Sequence, residues 1–231
     1  GIRNVLTGSF AGANLIAGSN NVAFGEQALT TDRNGHHSTA LGHAALASQD
    51  FATATDSDNT AVGYNAGLSV STGTRNTIMG SYAGDALTTG SFSVAIGYAA
   101  LSTEDTAANN TAVGYAALTT LNGGTQNTAV GQSAGAAMTT GNQNTIVGTN
   151  AGDALTDADH NVALGYNALS ADTLGSRTTA IGVGVLASQN FTTATEVMNT
   201  VVGAFAAEDI TVGVQNTIVG ALAGLQLTDA D

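Results

Sequence analysis

Cysteine, proline, tryptophan and lysine are missing from this chain altogether, and each absence closes off a class of protein. Without cysteine there is no disulfide framework and no thiol chemistry, so the redox compartment stays open. Histidine apart, the only cations are Arg3, Arg33, Arg75 and Arg177, set against seventeen acids for a net charge of −13. A chain so short of positive charge is unsuited to nucleic acid, whose phosphates demand many Lys or Arg contacts. It is equally unsuited to an anionic membrane surface. No apolar run approaches the roughly 20 residues that a membrane-spanning helix requires. Charged residues are only 9% of the chain, but apolar residues reach 43%, which excludes the disordered class.

What the chain has instead is one phrase, Asn-Thr-small-apolar-Gly, written thirteen times. It reads Asn59-Thr60-Ala61-Val62-Gly63 in one place and Asn127-Thr128-Ala129-Val130-Gly131 in another. Its glycine falls at Gly8, Gly25, Gly42, Gly63, Gly80, Gly97, Gly114, Gly131, Gly148, Gly165, Gly182, Gly203 and Gly220. Ten of the twelve spacings are 17 residues and two are 21. A fixed period this short marks a solenoid, in which each repeat packs on its neighbours instead of forming a core of its own. The expectation is an all-β parallel β-solenoid, or β-roll, of thirteen coils forming one continuous domain over residues 1–231. Neither end shows an atypical capping coil, so the chain reads as an interior segment of a longer fibrous protein.

Each coil can be read from its motif glycine. One position before it stands a large apolar residue in twelve coils, from Phe24 to Val219, with Thr7 the exception. Three positions before it is Thr or Val. These residue types favour a pleated strand, which the glycine ends at a sharp corner or a close backbone contact. The turn formers that bound each cluster argue against a helical period. The large residue before the glycine is expected to fill the interior.

Three positions after the glycine, Ala recurs in every coil but the one with Val185. The next position is Leu in six coils (Leu29, Leu46, Leu101, Leu118, Leu169, Leu186) and Gly or Ala in seven. Every coil of the second kind places a large apolar residue three places further on, as Val70, Leu87, Met138, Leu155 and Ile210 do. Coils of the first kind place Asp32, Gln49, Glu104, Asp172 or Gln189 there, with Leu121 the departure. The pattern reads as compensation: one large side chain per coil fills a shared interior slot from either of two backbone positions, as close packing demands. Four positions before the glycine, Asn fills ten coils and is expected to hydrogen-bond from coil to coil as an amide ladder.

Chemistry-bearing groups are sparse. His36, His37 and His43 cluster on an acidic turn and His160 stands alone, without the fixed spacing of a metal site. Asp50, Asp56 and Asp58 could hold calcium, yet the second insertion, eight coils on, has Asn190 and Glu196 at matching places, so a shared calcium site is not expected. No catalytic constellation, cofactor motif or metal site is expected, and the chain is not read as an enzyme.

At this point a family resemblance is carried by the residues. Asn110-Thr-Ala-Val-Gly-Tyr-Ala-Ala-Leu-Thr119 resembles the head repeats of trimeric autotransporter adhesins, and Ser93-Val-Ala-Ile-Gly97 matches their central phrase. Asn161-Val-Ala-Leu-Gly-Tyr-Asn-Ala-Leu-Ser-Ala-Asp-Thr-Leu-Gly-Ser-Arg177 and Gln189-Asn-Phe-Thr-Thr-Ala-Thr195 are similar to repeat regions of marine bacteriophage tail fibres. The resemblance covers the whole chain. It implies a homotrimer, packed or intertwined, and a structural and adhesive role in host-cell attachment on a virion tail fibre outside the cell. The alternative it leaves is a bacterial surface adhesin, with a host glycan or outer-membrane receptor as partner in either case. The in-register Thr residues leave a third alternative, an ice-binding solenoid.

Two sets of residues are candidates for contact. The Ala column (Ala28, Ala66, Ala117, Ala168, Ala206) and the Asn-Thr columns are the candidate inter-chain surfaces. The two 21-residue coils carry matching insertions, residues 47–58 and 187–198, expected to bulge outward with Phe51 and Phe191 as inter-chain or receptor contacts.

Overall fold

The computed structural model describes residues 1–106 and 108–229. It is a parallel β-solenoid in two compact units, Gly1–Asn110 and the chain from Thr111 onward. The first unit holds β1 (Val5–Thr7), β2 (Val22–Phe24), β3 (Gly35–His36), β4 (Thr39–Leu41), β5 (Thr55–Asp56), β6 (Thr60–Val62), β7 (Thr77–Met79) and β8 (Val94–Ile96). The second holds β9 (Thr111–Val113), β10 (Thr128–Val130), β11 (Thr145–Val147), β12 (Val162–Leu164), β13 (Gly175–Ser176), β14 (Thr179–Ile181), β15 (Thr195–Glu196), β16 (Thr200–Val202) and β17 (Thr217–Val219). Thirteen of these strands are three residues long, one per turn, and within each unit each pairs in parallel with the next in strict register, as Thr60 with Thr77 in the first and Thr128 with Thr145 in the second.

The motif glycine ends each of the thirteen three-residue strands with φ between +129° and +143°, a region that side chains rarely enter. A Cβ on Gly63 would lie 2.6 Å from the carbonyl oxygen of Gly80, so the next coil's backbone occupies that space. Within each unit the glycines therefore stack in one column, as expected. Three further positions per coil are left-handed, with φ between +49° and +67°: the fifth before the glycine and the second and fourth after it. Many of these are bulky, including Phe10, Leu29 and Leu118. Each left-handed step costs about 1–2 kcal/mol for a residue with a side chain. The coil-to-coil hydrogen bonds and close packing hold them there.

The interior slot is filled as the compensation pattern requires. Leu29, Leu46, Leu101, Leu118, Leu169 and Leu186 are fully buried, and so are Val70, Leu87, Met138, Leu155 and Ile210. Where Gly stands at the alternating position a neighbouring strand can supply volume as well: a Cβ on Gly67 would lie 2.9 Å from Cδ1 of Ile78, which belongs to the strand of the next coil.

The strand itself is turned the other way from the expectation. Its middle residue is buried, from Ala23 and Ala40 to Ile78, Ile146 and Val201. The large residue before the glycine faces out: Phe24 is 53% exposed, Met79 45% and Val219 70%. Alternate strand residues point to opposite faces, so one inward residue leaves its two neighbours outward. A 17-residue coil is narrow, and beside a buried Leu it admits only Ala, Val or Ile from the strand.

The Asn column also differs in detail from an amide ladder. Each buried Asn bonds mainly to backbone of the next coil. Asn59 Nδ2 donates to Gly73 O at 2.8 Å, and its Oδ1 accepts the Asn76 N–H at 2.9 Å. Asn161 makes the same two bonds, at 2.8 Å each, with Gly175 O and the Thr178 N–H. A direct amide-to-amide bond joins Asn144 Nδ2 to Asn127 Oδ1 at 3.1 Å.

Candidate interaction surface

The outward ends of the strands form two parallel rows. One is Thr or Val three before the glycine, the other is large and apolar beside it. In the second unit the pairs are Thr111 with Val113, Thr128 with Val130, Thr145 with Val147, Val162 with Leu164, Thr179 with Ile181, Thr200 with Val202 and Thr217 with Val219. In the first unit Phe24, Leu41 and Met79 replace most of the Val residues. Contiguous exposed apolar surface of this kind marks an interaction site.

Just past the glycine corner the first unit adds an exposed row of rings. His43 stacks on Tyr64 at 5.1 Å between centroids, Tyr64 meets Tyr82 edge-on at 5.3 Å, and Tyr82 meets Tyr98 at 5.9 Å. Stacking at coil spacing places rings from successive coils in contact, which sequence could indicate only through the recurrence of His or Tyr one or two places after the glycine.

The Ala column cannot join such a surface, because Ala28, Ala66, Ala117, Ala168 and Ala206 are fully buried inside their own coils. The Asn column is buried too, while the Thr row lies on the outside. Phe51 and Phe191 are also turned inward, at 5% and 7% exposure, contrary to the expected protruding rings. Apolar rings of this size gain by burial, and the insertion is long enough to fold them under. What projects is the tip of each loop, Ala52–Ala54 and Thr192–Ala194.

Outside the coils the charges are scattered. Arg33 holds Asp50 in a two-pronged pair at 2.7 and 2.9 Å, and Arg177 meets Glu196 at 3.2 Å. His37 lies 3.5 Å from Asp56 and 3.3 Å from Asp58, and Arg75 lies 3.6 Å from Asp58. Asp50 is thus taken by Arg33 and is not gathered with Asp56 and Asp58. Among the described residues no group of three or more His, Asp or Glu is placed to hold a metal ion. His160 is exposed on its own turn.

The polar residues that alternate with large apolar ones seven places after the glycine are inside, where their character gave no reason to place them. Asp32, Gln49, Glu104, Asp172 and Gln189 are fully buried in the same slot that Leu87 and Met138 fill elsewhere. The signal was available, since they stand at the same position in the repeat. Burial pushes the Asp172 carboxyl above its usual range, opposed by hydrogen bonds from the Phe191 N–H and Gln189. Burial likewise raises Asp85 and Asp153, which lie at matching places in the two units.

Comparison with family models, curated proteins and solved structures finds no match to the chain.

Proposed function

We propose that this chain is a structural and adhesive segment of a bacteriophage tail fibre, assembled as a homotrimer and used in host-cell attachment. The observation that carries the reading is the pair of outward rows along the strands of each unit, which leaves Phe24, Leu41 and Met79 exposed in the first and Val130, Leu164 and Val219 exposed in the second. A second and third copy, related by closed three-fold symmetry, would cover those rows without leaving a free end to polymerise. The resemblance to fibre repeats and to adhesin heads supports the same assembly, and a bacterial surface adhesin is its nearest alternative. The glycine column and the Asn bonds give the rigidity that a fibre segment needs.

The test is sedimentation velocity on the chain, with Val113→Glu and Val130→Glu as variants. A trimer that the two variants dissociate supports the reading. A stable monomer, or a trimer indifferent to both changes, overturns it. Attachment is tested separately, by binding of labelled trimer to host cells and to cells stripped of surface glycan.

One observation favours a second reading. In six of the seven turns of the second unit, Thr and an aliphatic residue stand side by side in register, and such double rows suit an ice surface. Thermal hysteresis in the purified chain would establish that reading, and its absence would remove it.

A further inference from the structure

The two coils of 21 residues share a buried device that the plain coils lack. In each case the coil before the insertion carries Asp seven residues after its glycine, and the insertion coil carries Gln there: Asp32 then Gln49, Asp172 then Gln189. The remaining pair of Leu-type coils has no insertion, and its residues are Glu104 and Leu121. Gln and insertion thus occur together, twice, eight coils apart.

The geometry is the same in both copies. In the first, Asp32 Oδ1 accepts the Gly35 N–H at 2.9 Å and Oδ2 accepts Gln49 Nε2 at 2.8 Å. Gln49 Oε1 then accepts Asn59 Nδ2 at 2.9 Å. In the second, Asp172 Oδ1 accepts the Gly175 N–H at 3.1 Å and Oδ2 accepts Gln189 Nε2 at 2.6 Å. Gln189 Oε1 accepts Asn199 Nδ2 at 2.9 Å. A carboxylate only accepts, so it dictates which end of the Gln amide faces it, and the Gln dictates the Asn in turn. A Cβ at Gly35 or Gly175 would land on the carboxylate, so only glycine leaves room for it.

The chain also reaches the insertion itself. The Phe191 N–H donates to Asp172 Oδ1 at 3.0 Å, and Phe191 O accepts the Leu174 N–H at 2.9 Å. In the first copy Asn34 Nδ2 donates to Phe51 O at 2.8 Å. The far arm of each loop pairs in parallel with the preceding coil, β5 on β3 and β15 on β13. We propose that the Asp–Gln–Asn chain is an internal latch that seats the inserted residues, and that Asp followed one coil later by Gln marks where this repeat widens.

The test is residue-resolved hydrogen exchange on the full chain, with two variants at one position. Gln189→Leu puts in the residue that Leu121 already supplies at this slot, so it keeps the coil filled. Gln189→Glu keeps the shape and reverses the polarity against Asp172. In both variants, protection at the Phe191, Thr195 and Val197 amides should fall about tenfold or more as the loop opens locally, with the amides of β10 and β11 unchanged. Retention of loop protection in either variant, or its loss uniformly along the chain, overturns the latch.

Discussion

In the first unit the outward strand pairs run from Val22 with Phe24, through Thr77 with Met79, to Val94 with Ile96, while in the second six of seven pairs are Thr with Val or Ile. Behind these different faces the interiors are alike: Leu87 and Leu155 fill the same slot, and Asn76 and Asn144 hold the same carbonyl positions. The interior of a coil is fixed by its own packing, where one methylene too many or too few is felt. The outer face is only partly covered by its own chain, Val113 and Ile181 being half-buried and Val130 and Leu164 exposed, so its composition is freer to vary.

The comparison is broken most severely at the glycine column. Gly63→Ala and Gly165→Ala each force a Cβ onto the carbonyl of the next coil at a φ that alanine resists. Each should cost on the order of 4 kcal/mol or more, read from denaturant midpoints. Equal losses in the two units would uphold the shared interior, and a clear inequality would break it. Next in size are Leu87→Ala and Leu155→Ala. Each empties a fully buried slot, with about 2–5 kcal/mol lost at the same thermal or chemical transition.

A smaller effect should follow pH. Asp85 and Asp153 have carboxyls raised by burial, so the folded state holds their protons more tightly than the unfolded chain does. Their charged forms therefore weaken the fold above the raised values, and stability recovers as pH falls toward the ordinary carboxylate range. Asp85→Asn and Asp153→Asn should each stabilise the chain at neutral pH. The gain should vanish on acidification, as followed by melting temperature across a pH series. The smallest effect belongs to Arg33→Ala. Its pair with Asp50 is exposed, and Thr173 and Asn190 stand in the corresponding places of the second copy. No shift in melting temperature is expected.

The column of glycines, the parallel turns and the alternating Leu slot were legible because each recurs at a fixed spacing, and a recurrence of that length has few structural solutions. The direction of the strand was not legible. Three residues such as Thr128, Ala129 and Val130 give one alternation, which fits either face. Size suggested that Val130 was inside, and the narrowness of the coil put Ala129 there instead. Asp172 and Gln189 escaped for a related reason: acids and amides are mostly solvated, and only their shared position with Leu87 hinted otherwise. Phe191 was misplaced because an insertion looks like surplus chain. In the fold its far arm pairs as β15 and its ring goes under.

Sequence alone determined the period, the strand-and-turn content, the site of the close glycine contacts and the two alternating positions, such as Leu29 and Leu87, from which a large side chain fills the interior. These are properties of a repeat, and a repeat states them many times over. Tertiary structure decided which side of the strand is buried, how the Asn residues spend their hydrogen bonds, and where the buried carboxylates and the two Phe rings lie. Those outcomes depend on the width of the coil and on contacts between residues 17 or more apart, and no local pattern encodes either.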